Sequence, residues 1–276
     1  MKPGFSFVAA SLAVLLSITS QAAHADGDPR VAKLISQSGA ALHVDALRSI
    51  KVIHAKGSVV ASGLSGSGDD WNEMGGVREA TFFSAPPLGG GSGWDGKEDW
   101  NLDQTGLVIV DGSVLGRSSA ISQAYVCNYD LWTPGHGGAT VTWGGSKSED
   151  GKSYDLLTVT PPNTSVPIDI WFDQATHLPV KAVQTAGPVG TAIMMADFRP
   201  VHGLMIPYRV DISAISGNTS FTATSVEADP PGGAAHLAVP TSSPHDFSIA
   251  DGATQAVVPI QISKNQIGRA SCRERV

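Results

Sequence analysis

The chain has 276 residues, a net charge of −7, 31 glycines, 17 prolines and only 16% charged residues. So acidic a protein, poor in lysine and arginine, is a poor partner for nucleic acid or an anionic membrane. Its glycine and proline content points to a turn-rich β protein and away from a helical one.

In chain order, residues 1–25 carry Lys2, an apolar run over 5–18 and then Ala23-His24-Ala25, the small-x-small pattern of a signal-peptide cleavage site. The run is too short to span a membrane, and no Cys follows it for lipid attachment. The mature chain is therefore expected to begin near Asp26, to be exported to a bacterial periplasm or beyond, and not to span a membrane. Residues 29–42 are predicted helical: Asp28 caps them, Pro29 takes the first helical position, and Val31, Leu34, Ile35 and Ser38 share a face. Gly39 is expected to weaken the end of this helix. Next come a strand over 47–61, a flexible turn over 63–68 and two shorter strands within 71–83, the second at 78–83. A Gly-rich connector follows over 86–96, then a strand over 100–110. Residues 118–131 read as a second helix, with Ile121, Ala124, Tyr125 and Asn128 on one face and Trp132-Thr133-Pro134-Gly135 as its stop.

A strand at 139–143 and a turn over 144–152 lead into the clearest pattern, residues 153–212. Leu204, Ile206, Tyr208, Val210 and Ile212 alternate with Met205, Pro207, Arg209 and Asp211, which marks a strand with one apolar face. Ile168, Ile170 and Phe172 alternate likewise with Asp169, Trp171 and Asp173. Turn chemistry sits at Pro161-Pro162-Asn163, at 173–177, at Gly187-Pro188 and at His202-Gly203. Such short turns join antiparallel neighbours, because parallel pairing needs long crossovers. A last strand is expected at 221–226, ending a β domain over 26–228. A Pro/Gly/Ser-rich linker follows over 229–254, and 255–267, QAVVPIQISKNQI, begins a further element. The closing IGRASCRERV resembles translated sequencing-adaptor read-through, so 268–276 are read as an artefact tail. Cys127 is then the one native thiol, which excludes a disulfide framework and a Cys-based zinc site. Without Lys2 and the net +2 of residues 268–276, the charge is −10.

Several stretches approach catalytic signatures, and each lacks a necessary atom. Residues 91–98, GSGWDGKE, have the spacing of a phosphate-binding loop, but Glu98 replaces the hydroxyl that should bind magnesium. Residues 99–103 copy the opening of a calcium loop, yet no Gly stands at its sixth position and Val110 replaces the bidentate Glu; a solvated turn is the expectation. Val108-Ile109-Val110-Asp111 resembles the strand and aspartate of an aspartic protease, but Gly112 carries no hydroxyl, and a hairpin turn is expected. The histidines show no metal spacing, and His177 and His202 are expected to be solvated in turns. No Ser stands in a G-x-S-x-G elbow. No catalytic, cofactor-binding or metal-binding residue is assigned. Trp171, Phe172, Phe198 and Tyr208 are read as core rather than ligand contacts.

Two resemblances rest on quoted residues. Asp173, Thr176, Leu178, Pro179 and Val180, followed by Asp197, Phe198, Arg199, Val201, Gly203, Leu204 and Pro207, resemble the strand pairs of the outer-membrane lipoprotein-sorting (LolA/LolB-like) superfamily. That resemblance implies an incomplete β-barrel, a curved antiparallel sheet with one or two covering helices, whose concave face holds acyl chains. DGKEDWNLDQTG, AYVCNYDLWTP and GKSYDLLTVTPP, together with the stretches above, are similar to the N-terminal region of bacterial exported aspartyl-protease-family (retropepsin-like) proteins. Val258, Pro259, Ile260, Ile262, Asn265 and Ile267 match the opening of the protease domain there, but no D-T-G or D-S-G occurs in the chain.

The leading expectation is a non-catalytic accessory domain of such a protein, with a peptide as substrate of the missing protease domain. The alternatives are a stand-alone carrier or sensor of lipid or other apolar ligands and an envelope scaffold. For a carrier, Ile206, Tyr208 and Val210 are the expected ligand-binding positions, because they lie on the apolar side of the cleanest strand.

Overall fold

A computed structural model describes residues 27–186, 189–214 and 217–241. The expected signal segment, the Gly187-Pro188 turn, the stretch 255–267 and the tail 268–276 lie outside the described residues. Thirteen strands form a single antiparallel sheet: β1 (Val52–Ala61), β2 (Leu64–Glu73), β3 (Glu79–Ala85), β4 (Leu88–Trp94), β5 (Asp99–Leu102), β6 (Val108–Asp111), β7 (Thr140–Glu149), β8 (Lys152–Thr160), β9 (Ile168–Asp173), β10 (Pro179–Ala186), β11 (Val189–Val201), β12 (Leu204–Ala214) and β13 (Gly217–Ala228). Their order across the sheet is β6-β5-β4-β3-β2-β1-β13-β12-β11-β10-β9-β8-β7. Two meanders thus meet where β1 pairs with β13.

Among the described residues the two long helices, α1 (Pro29–Leu42) and α2 (Val114–Cys127), lie on one face, where Val31, Leu34 and Tyr125 share a core cluster. The second touches β4 and β5 as well as β10. Seven strand spacings separate β4 from β10, about 34 Å on a flat sheet, whereas a helix of 14 residues is only about 21 Å long. The sheet must therefore curl around its helices. The mainly β class, the antiparallel curved sheet and the covering role of two helices are as expected from the sequence.

The first helix has the expected bounds, with Asp28 accepting from the Arg30 N–H and Val31 and Leu34 buried. The second begins earlier than expected, because the Ser113 side chain accepts from the Gly116 N–H. It also ends earlier, because Tyr129 turns left-handed (φ 64°). Its expected face is nevertheless correct: Ile121, Ala124, Tyr125 and Asn128 are buried. Asp111-Gly112 is a strand-to-helix junction rather than a hairpin.

The flexible turn expected over 63–68 shrinks to Ser62-Gly63, and the Gly-rich connector is strand β4. Its glycines make room for rings on the convex face. A Cβ on Gly93 would stand 2.6 Å from the Trp100 ring and 2.5 Å from the Glu79 carbonyl oxygen. Asp99 and Asn101 sit in strand β5, and only Asp103 caps the following turn, through Thr105 and Leu107. The residues expected to form a solvated turn are thus mostly strand.

The expected linker starts with docked chain. The Asp229 carboxylate accepts from Lys51 N and Val52 N, both at 2.9 Å. Leu237 is fully buried against Val52, Trp71 and Trp100 on the convex face. His54, Trp71 and His236 stack at centroid distances of 3.6 and 4.0 Å.

Candidate functional site

The end of α1, the turn after it and two 3-10 turns, Asp130–Trp132 and Pro134–Gly138, border an open groove of about 600 Å³. His43 closes α1 in a left-handed conformation (φ 57°, ψ 45°), its backbone N–H turned to the Ala40 and Gly39 carbonyls. The His43 imidazole Nδ1 lies 3.2 Å from the Gly203 carbonyl oxygen. On the other wall, the Tyr129 hydroxyl donates to the Met205 carbonyl at 2.8 Å and ties the 3-10 turns to β12. Between the walls, the Trp132 indole lies against Gly39, where a Cβ would meet its Cδ1 at 3.3 Å and Val44 Cγ2 at 3.1 Å. Gly39 therefore permits the close approach of the ring rather than ending the helix. The ring meets Phe172 edge-on (6.5 Å, 79°) and Tyr129 at a tilt (5.5 Å, 47°).

The walls are apolar at Ile35, Val44, Leu131 and Trp132, with Ser36, His43, Asp45, Thr133 and His136 as polar points. His136 Nδ1 bonds to the Leu131 carbonyl at 2.8 Å. The Trp132 indole N–H is buried and finds no partner among the described residues. Ile35 stands on the periodic face of α1 and Trp132 in the stop after α2, but nothing in the sequence marks these residues as one site.

The three expected ligand positions lie elsewhere. Ile206 is buried among Leu42, Ile53 and Leu204, and half-buried Tyr208 packs on the same cluster. Val210 packs on the neighbouring cluster around Leu157 and Phe172. The Arg199 guanidinium covers the Tyr208 ring at 4.5 Å. None of the three lines the groove. Within this helix-covered face, the space bounded by Tyr125, Tyr129, Ile170 and Met195 is about 10 Å³, room for about one water at most. Phe172 is core, whereas Trp171 points to the convex face, with Lys147 and Lys181 at 4.7 and 4.3 Å from its ring. His177 is half-buried beside Gln37 of α1 (3.4 Å) rather than solvated, whereas His202 is exposed.

The β2–β3 side of the same face is acidic. Asp70 and Asn72 of β2 face the helices together with Glu79 and Thr81 of β3, each opposite its cross-strand partner. Asn72 and Thr81 donate to the Asp70 carboxylate at 2.6 and 2.7 Å, and Gln123 of α2 donates to Glu79 at 3.2 Å. Burial, then the neighbouring Asp70 charge, pushes Glu79 up to about 8, and burial raises Asp70. The Cys127 thiol is raised by burial and by both carboxylates, so it stays protonated and inert. No group of three or more His, Cys, Asp or Glu suited to a metal occurs among the described residues.

No family model matches the chain, and no curated protein matches it by sequence. Among solved structures, it is similar to a putative outer membrane lipoprotein-sorting protein domain from Vibrio parahaemolyticus (10% identity, TM-score 0.48), with 72% of this chain and 93% of that one covered. A DUF1329 family protein from Desulfovibrio piger gives 14% identity and a TM-score of 0.46 over 72% and 93% of the two chains. A LolA superfamily protein from Nitrosomonas europaea gives 14% and 0.45 over 69% and 92%.

Proposed function

We propose that the chain is an exported envelope domain that binds an apolar ligand in the groove between α1 and residues 130–138. The observation that carries this reading is the groove itself, about 600 Å³ with Ile35, Val44, Leu131 and Trp132 as walls. That volume lies within the range of about 300–1,000 Å³ typical of small-ligand sites, which combine apolar walls with a few polar points. The packed space beneath α2 offers no such room. His43 and His136, beside the charged Asp45, supply the polar contacts for a ligand with one polar end.

Titration of the chain with a fluorescent fatty acid tests the reading. Binding should be saturable and should fall about tenfold or more in Ala40→Phe, which fills the groove from an exposed helix position. Val210→Glu tests the sheet positions Ile206, Tyr208 and Val210. Loss of binding there in a folded protein, with Ala40→Phe silent, would move the site to the sheet face. Absence of binding to either place would sink the carrier reading in favour of the scaffold.

The accessory-domain reading rests on residues 255–267, outside the described residues. It requires the source gene to continue in frame to a D-T-G or D-S-G, and sequencing through that junction decides it.

A further inference from the structure

The 130–138 segment also lines a second recess of about 60 Å³, between α2 and the turn at Pro162-Asn163. Its walls include Trp94, Ile121, Tyr125 and Pro161, and the exposed Val77 stands at its rim. Asp130 lines it too. This side chain is only 7% exposed. Among the described residues its carboxylate joins no hydrogen bond or ion pair, and Thr133 takes only its backbone carbonyl. Glu73, whose charge it feels, is already paired with Arg78 at 2.6 Å. A carboxylate mostly shielded from water and left without a partner is costly, and burial, then the Glu73 charge, pushes Asp130 up to about 7.

Aromatic walls around a lone carboxylate are the chemistry that receives a cation. Trp94 already attracts one: the Arg117 guanidinium lies 5.6 Å from its ring, anchored by a 2.7 Å bond to the Lys97 carbonyl. A planar guanidinium brings five donors, and the Tyr125 hydroxyl is already committed to the His136 carbonyl. An ammonium, with three donors, asks for fewer acceptors.

We propose that this recess is a binding site for a primary ammonium group, that of a free amine or of a lysine side chain on a partner, with Asp130 as its counter-ion. The site is separate from the apolar groove, so it stands or falls independently of the carrier reading.

The test is a titration of the full chain, followed by NMR in one mildly alkaline buffer. The probes are n-butylammonium, N-α-acetyl-lysinamide and neutral 1-butanol. Both ammonium probes should bind saturably and 1-butanol should not. Equal affinities assign the site to the ammonium alone, and tighter lysinamide binding assigns it to a lysine in a peptide. Asp130→Asn should weaken both ammonium probes about tenfold or more. Val77→Arg keeps Asp130 and places a competing guanidinium at the exposed rim, and it should do the same. No saturable binding of either ammonium probe, equal binding of 1-butanol, or undiminished affinity in a folded Asp130→Asn or Val77→Arg protein would overturn the proposal.

Discussion

Glu79 shows how one side chain sets the pH response of the fold. It is 3% exposed and lies directly across from Asn72, whose Oδ1 is buried without a donor among the described residues. With its pKa at about 8, Glu79 is protonated at neutral pH. In the unfolded chain the same carboxyl titrates near 4.5. Between these values the folded state binds more protons than the unfolded one, so stability falls as pH rises through that window. Glu79→Gln keeps the shape and the hydrogen bonds without the titration. It should leave stability at acid pH nearly unchanged and raise it by on the order of 2–4 kcal/mol at mildly alkaline pH. Urea melts across the window check this, and a variant with the wild-type slope would refute it. The alternation of strands does not mark Glu79, because a buried acid on a sheet reads in sequence as a solvent-facing one.

At the scale of elements, strand β4 teaches most. Leu88–Trp94 contains four glycines and no alternation, so its sequence reads as a loop. It is a strand because the Trp100 and Phe82 rings lie across its convex side and exclude any side chain there. Gly93→Ala should therefore cost about 1–3 kcal/mol through overpacking. Gly112→Ala, whose Cβ would meet nothing within 4 Å, should stay within about 0.5 kcal/mol. Thermal melts of the two variants make the comparison. The second helix carries the complementary lesson. Its buried face was legible from spacing, but its ends depend on Ser113 as cap and on the left-handed Tyr129.

Across the whole molecule, the two meanders are held together by the β1–β13 ladder, by α2 reaching from β4 to β10, and by the segment after β13. That segment crosses the convex face, where Leu237 fills the cluster around Trp71 and Trp100. Leu237→Ala should cost about 2–5 kcal/mol. His236→Ala, at an exposed ring in the His54–Trp71 stack, should cost no more than about 1.5 kcal/mol. Urea denaturation followed by Trp fluorescence distinguishes the two. A silent Leu237→Ala would mean that the segment does not dock in solution.

The sequence by itself determined the class of fold, the antiparallel order of the second meander and the apolar face of β12. Those follow from local rules, the period of two and the length of the turns. Only the tertiary structure decided where space remains. Ile206, Tyr208 and Val210 looked available because one side of their strand is apolar, yet that side is taken up by helices, by neighbouring strands and by Arg199. The groove at Trp132 and the recess at Asp130 arise instead where irregular turns meet helices. Their walls come from segments as distant as residues 35 and 136, or 77 and 163, a proximity that no local pattern encodes.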